Sequence, residues 1–155
     1  MATRSPRKTA REKLEADHAS HGQVVPIPPL WRRTMGKGTL LIPRPLDVDD
    51  AMRAVRKGRL LTMSALRAKL ASDAGADAAC PLTTGIFARL AAEAAEEDRA
   101  AGKSRITPWW RTIKDDGRLN DKFPGGLRAQ ARLLRAEGHE IVQGRSANVL
   151  RVNLA

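Results

Sequence analysis

Tyrosine is absent from this chain, phenylalanine occurs twice and cysteine once. A lone cysteine excludes an internal disulfide and fits a reducing compartment, so the chain is expected in the cytoplasm. No apolar run approaches the roughly 20 residues that a membrane span needs. Charges begin at Arg4 with no apolar stretch behind them, which argues against a secretory signal. Internal repeats are missing too. Acidic residues are scarce beside basic ones, 17 Asp+Glu against 28 Lys+Arg, for a formal charge of +11 over 155 residues. Such an excess selects a polyanionic partner, nucleic acid first and an anionic membrane surface second.

The length suits one domain with a tail. Residues 1–22 are basic and polar, with Leu14 the one large aliphatic side chain after Met1. They read as a disordered tail, with a frayed helix over Thr9 to Ala19 at most, or as a basic arm on phosphates. His18 and His21 lie there, read as solvent-exposed and not as metal ligands. Residues 23–45 are Pro-rich, and the prolines argue against a central strand or a helix. This segment should wrap the domain, anchored by Val25, Ile27, Leu30 and Trp31. Gly36-Lys37-Gly38 lacks the spacing of a phosphate loop and reads as a turn.

Residues 46–155 carry the folded domain. Asp47, Asp49 and Asp50 suit the start of a first helix that should stop near Gly58. Thr62 offers an N-cap to a second helix with Met63, Leu66 and Leu70 on one side. Gly75 to Pro81 reads as a loop. Thr83 or Thr84 should cap a third helix to about Ala100, burying Ile86, Phe87, Leu90, Ala91 and Ala94. Its acidic distal half, Glu93 to Asp98, should be solvated. Ile106 to Leu119 reads as an extended segment entering a tight Asp-Asp-Gly turn. An amphipathic helix over Leu127 to Glu137 follows, then a hairpin of Glu140–Gln143 and Asn148–Asn153 around Gly144 to Ala147. The expected fold class is mainly α with small β. Three helices and a hairpin form a winged-helix domain, a helix-turn-helix variant, completed by the C-terminal helix and short hairpin.

Pro108-Trp109-Trp110-Arg111, the Gly-containing turn, Gly125-Gly126 and a helix ending in Glu137-Gly138 follow one another in an order that resembles the alkylguanine-DNA alkyltransferases. That family's C-terminal domain places Pro-Cys-His-Arg, a turn, Gly-Gly and a helix ending in Glu-Gly in this order. The resemblance spans residues 45 to 140. Trp109 stands at the family's nucleophilic cysteine, which makes the chain most similar to the alkyltransferase-like proteins that bind alkylated guanine without repairing it. Trp110 stands at the histidine, and Glu137 at the glutamate that orients it. An indole cannot accept an alkyl group. It can line a pocket for an extruded base, where stacking is worth about 1–3 kcal/mol. The resemblance also aligns Met63 with a base-contacting tyrosine and Leu82 with the arginine that fills the gap in the stack. Both depart from the family's pattern, although Leu and Met can wedge a base step.

The resemblance thus implies a lesion pocket of Pro108, Trp109, Trp110 and Arg111. DNA contacts are expected from Met63, Arg67, Lys69, Leu82, Thr83, Thr84, Arg89, Lys114 and Arg118. Arg128, Arg132 and Arg135 read as a solvated face. Cys80, ahead of the third helix, is a rival nucleophile because a helix N-terminus can depress a thiol pKa. The expected activity is non-catalytic recognition of alkylated guanine by base flipping, contributing to DNA repair. The alternatives are a lesion-blind winged-helix regulator and an alkyl (methyl) transferase using Cys80. The expected partner is double-stranded DNA, with repair proteins as further candidates. A monomer near the nucleoid, with no cofactor, metal or membrane, completes the expectation.

Overall fold

The computed structural model describes residues 5–146 and 149–154. Its elements run α1 (Ala10–Glu15), β1 (Val24–Pro26), a 3-10 turn (Pro29–Trp31), α2 (Arg32–Met35), β2 (Thr39–Leu41), α3 (Pro45–Arg53), β3 (Leu61–Thr62) and α4 (Met63–Asp73). There follow β4 (Ala78–Ala79), α5 (Pro81–Ala100), a second 3-10 turn (Trp109–Arg111), β5 (Thr112–Ile113), α6 (Gly126–Ala136), β6 (Ile141–Gln143) and β7 (Leu150–Val152). The fold is mainly helical, with three small sheets among the described residues, as the sequence indicates.

Helix α5 is the axis of the molecule. Ala88, Ala91, Ala92, Ala94 and Ala95 are all buried on it, and side chains this small let neighbouring helices approach closely. Val48 and Met52 of α3, Leu66 and Leu70 of α4, and Leu14 of α1 close the main core around it together with Trp109 and Phe123. A second cluster of Ile113, Leu119, Leu134 and Val152 joins α6 to the terminal strands, and Trp110 packs against both clusters.

The N-terminal residues differ from the disordered tail expected of them. Residues 10–15 are a capped helix: Thr9 accepts from the Glu12 N–H at 3.1 Å while the Glu12 carboxylate accepts from the Thr9 N–H at 2.8 Å. Glu97 of α5 accepts from the Ala10 and Arg11 N–H groups at 2.7 and 3.0 Å, and Arg11 pairs with Asp98 at 2.6 Å. Leu14 is fully buried, so this stretch does build core. We expect Leu14→Ala to cost about 2–5 kcal/mol in urea unfolding. A solvated tail would leave the midpoint where it is. His21 is half-buried against the Phe87 ring at 5.0 Å, and burial, with His18 beside it, lowers its pKa.

The Pro-rich segment also departs from expectation. β2 is the central strand of a three-stranded sheet, antiparallel to β1 and parallel to β4. Residues 39–41 contain no proline, so nothing in them denies a ladder. Pro26 ends the edge strand, and a short helix follows the 3-10 turn. Ile27 is a buried anchor with Val25 and Trp31 packed beside it, whereas Leu30 is 91% exposed.

α3 stops at Arg53, before Gly58. The following loop is held from outside, because Arg111 Nη1 donates to the Val55 carbonyl at 2.6 Å. Thr62 caps α4 as expected, its hydroxyl accepting from the Ala65 N–H at 3.2 Å. α5 begins at Pro81 with Cys80 as N-cap, because proline's fixed φ suits the first helical position. Neither threonine caps it. Ile86 faces outward at 52% exposure. The stretch expected to be a continuous extended segment instead turns through 3-10 geometry at both tryptophans. After β5 comes the expected tight turn, with the Gly117 N–H donating to the Lys114 carbonyl at 2.9 Å. The return leg joins the terminal strand through the Leu119 N–H to the Leu150 carbonyl at 2.9 Å. β6 and β7 pair antiparallel as expected. Ala147 and Asn148 of that hairpin lie outside the described residues.

Candidate nucleic-acid interface

Residues 107–111 are held by three carboxylates from three helices. The Thr107 hydroxyl donates to buried Asp49 of α3 at 2.6 Å. Trp109 Nε1 donates to Glu96 of α5 at 2.9 Å. Glu137, at the end of α6, accepts from Trp110 Nε1 at 2.8 Å and from Arg111 Nε and Nη2 at 3.0 and 2.8 Å. Buried Gln130 donates to the Trp110 and Thr112 carbonyls at 3.1 and 2.8 Å and accepts from the Asn120 N–H at 2.9 Å. A segment tied this way is rigid, and its donors and acceptors are paired by side chains that strand geometry would not bring to it.

Burial raises the Glu137 pKa, but the Arg111 and Trp110 hydrogen bonds, the Arg111 charge and the Gly58 N–H outweigh it and leave the pKa lowered. Glu137 thus orients an indole and a guanidinium. The Arg99 and Arg111 guanidiniums each stand 5.6 Å from the Trp110 ring centroid.

Between the distal half of α5 and the start of α6 lies a cleft of about 360 Å³, lined by Glu96, Arg99, Trp109, Pro124, Gly125, Ala129, Arg132 and Leu133. Its volume falls in the range of small-molecule pockets. Trp109 is 1% exposed, so the indole closes the cleft and offers no open face for stacking. Phe123 meets it edge-on at 5.6 Å. Gly125 is held at φ 75°, where a Cβ would come within 2.5 Å of the Ala129 side chain, and the turn beside the cleft therefore needs glycine. Of the residues expected to form the pocket, only Trp109 lines this cleft. Pro108 is buried, while Trp110 and Arg111 are half-buried and engaged with Glu137.

The distal half of α5 is not simply solvated. Glu96 holds Trp109, Glu97 caps α1, and Asp98 is buried between Arg11 and Lys103 at 2.6 and 3.2 Å. Apart from Trp109, none of the lining residues was expected there, among them Glu96, Arg99, Gly125 and Arg132. Gly125-Gly126 was a visible signal. For Glu96 and the arginines there was none, because an exposed helical face and a cleft wall share one composition.

The other expected contacts are dispersed. Asp115 in the turn accepts from the Ser64 N–H at 2.8 Å and from its hydroxyl, fastening the turn to the start of α4. Those two bonds hold the Asp115 pKa below the usual carboxylate range. Arg67 reaches the same carboxylate at 4.0 Å. Lys69, Arg89 and Arg118 pair with Asp73, Glu93 and Asp116 at 3.0, 2.9 and 2.6 Å. Leu82 is 65% exposed, and with Ile86 it opens an exposed stripe along α5. Met63 is half-buried against the main core.

Three residues do not fit their expected roles. Thr84 is buried with its hydroxyl donating to the Cys80 carbonyl at 2.6 Å, so it presents nothing to a phosphate. The Thr83 hydroxyl is buried without a partner. Cys80 is buried with Ile27 and Leu40 and does not line the cleft. Among the described residues no three His, Cys, Asp or Glu side chains are grouped to hold a metal, and no helix is long and apolar enough to cross a membrane.

No protein-family model matches the chain, and no curated protein matches it. Among solved structures it is similar to S. pombe Atl1 in complex with damaged DNA containing O6-carboxymethylguanine, with 22% identity, a TM-score of 0.47, and coverage of 71% of this chain and 88% of that one. So loose a superposition transfers neither a residue role nor an activity.

Proposed function

We propose that this chain is a non-catalytic DNA-binding protein that admits an extruded alkylated guanine to the cleft beside Trp109, contributing to DNA repair by marking the lesion. The cleft carries the reading. It stands between two helices of a chain with a formal charge of +11, and Arg99 and Arg132 are among its lining. Such charges suit the phosphates that flank an extruded nucleotide. The exposed stripe of Leu82, Ile86 and Arg89 runs along α5 towards Glu96, on residues spaced to share one helical face. A duplex along that stripe would bring a base to the cleft, with the turn at Lys114 and Arg118 as a second backbone contact. Burial of Cys80 away from the cleft favours binding over alkyl transfer.

The test is a paired titration of duplexes with and without one O-alkylguanine, read by tryptophan fluorescence at two salt concentrations. Tighter binding of the lesion duplex is expected. Both affinities should fall steeply with salt, by about a thousandfold between 50 and 200 mM if about six phosphates are engaged. Equal affinity removes lesion recognition and leaves a lesion-blind duplex binder. Transfer of a labelled alkyl group to the protein would overturn the non-catalytic reading.

A further inference from the structure

Glu96 is an unusual neighbour for a nucleic acid. A carboxylate repels phosphate, yet it lines a cleft whose other charged side chains are both arginines. Its orientation is fixed from two sides: Trp109 Nε1 donates to Oε1 at 2.9 Å, and Arg99 Nε donates to Oε2 at 3.0 Å and to Oε1 at 3.3 Å. An ionised carboxylate has about four acceptor sites and no donor. These contacts leave acceptor capacity on Oε2, and the side chain retains 31% exposure.

We propose that Glu96 is the specificity-determining residue of this cleft, accepting a hydrogen bond from an exocyclic amino group of the entering base. The inference rests on the proposed base-admitting role of the cleft and deepens it. Three features support it. The acceptor is positioned before any ligand arrives, because the indole that donates to it is itself buried in the core. Its negative charge lies beside the positive charges of Arg99 and Arg132, so a nucleotide entering phosphate-outward meets the guanidiniums with its backbone and the carboxylate with its base. The closed indole offers no stacking face, which leaves hydrogen bonding as the means of choosing among bases. An acceptor-only group favours a base edge that donates and disfavours one that carries only acceptors. Alkylation at O6 of guanine removes the N1 proton but leaves the 2-amino group, so the alkylated base still has the donor that Glu96 needs.

The experiment compares duplexes containing O6-methylguanine or O6-methylhypoxanthine opposite cytosine, which differ by that amino group alone. An undamaged duplex is the third ligand, and wild-type protein and E96Q are both titrated. Wild-type protein should bind the amino-bearing lesion about tenfold tighter than its des-amino counterpart, the scale of one hydrogen bond to a charged group. Loss of the amino group also weakens the pair with cytosine and eases extrusion, which works against the expected result. E96Q keeps an acceptor for the Trp109 N–H and should narrow the ratio to within about threefold while still folding. Equal wild-type affinity for the two lesions overturns the role of Glu96, and so does a ratio that E96Q leaves unchanged. If neither lesion binds better than the undamaged duplex, the cleft admits no base. The proposed function then fails, and the role of Glu96 with it.

Discussion

Replacing Trp109 by alanine should destabilise this protein strongly. The side chain is the largest of those fully buried, it packs edge-on against Trp110 and Phe123, and it is part of the main core. Truncating such a residue costs about 3–5 kcal/mol through lost transfer energy and the cavity left behind. The variant also removes the donor that positions Glu96. Against a typical net stability of about 5–15 kcal/mol, that loss is a large fraction of the total. A drop in DNA affinity of Trp109→Ala would therefore combine lost packing with the lost Glu96 donor. Trp109→Phe is the informative partner, keeping most of the ring volume and losing the N–H. Its cost should be about 1 kcal/mol, because half-buried Glu96 can take water in place of the indole. Urea unfolding of both variants checks this. A Trp109→Ala protein as stable as wild type would mean that the indole is not a core residue.

The second large effect belongs to the Arg111–Glu137 pair. The two side chains are 14% and 8% exposed, their closest contact is 2.8 Å, and the carboxylate also accepts from Trp110. Glu137→Ala leaves a guanidinium and an indole N–H without their acceptor in a nearly closed site, which should cost about 3–5 kcal/mol. Replacing both partners with apolar side chains of similar size, Arg111→Met with Glu137→Leu, should recover most of that loss, because the penalty comes from the unpaired charge. Failure of the double variant to recover would place the worth of the pair in the Val55 and Trp110 bonds. The pH dependence follows from the lowered pKa of Glu137. A carboxylate whose folded pKa lies below its unfolded value contributes stability that is fully present above the unfolded value. That stability is lost as the pH falls through the folded value. Unfolding midpoints of wild type should therefore drop as acid is added below the ordinary glutamate range, with a shallower drop in Glu137→Gln. Equal slopes would show that the pair does not govern acid sensitivity.

The two variants act on opposite sides of one segment. Residues 107–111 join the main core, through Trp109, to the second cluster, through Trp110. Their hydrogen bonds run to α3, α5 and the end of α6. Damage at either tryptophan therefore disturbs the position of α5 relative to α6, and the cleft lies between those two helices.

Local chemistry alone specified a good part of this protein. Thr62 as a cap, the register of Leu66 and Leu70, the turn at Asp115-Asp116-Gly117 and the terminal hairpin are all written in residues a few positions apart, where capping, helical periodicity and turn preference act without help. The excess of basic charge is likewise a property of composition, independent of the fold. What tertiary structure decided is the fate of the acidic side chains. Asp49, Glu96, Glu97, Asp98 and Glu137 have the composition of solvated helix faces, yet each has a partner outside its own helix, at Thr107, Trp109, Ala10, Arg11 and Trp110, and no local pattern announces such a pairing. The same holds for Leu14, buried because α5 offers it an alanine face, and for Trp109, whose position in the motif suggested an open pocket wall. A side chain's neighbours along the chain set its backbone geometry. Whether it faces water, a core or a cleft is set by whichever distant element packs against it.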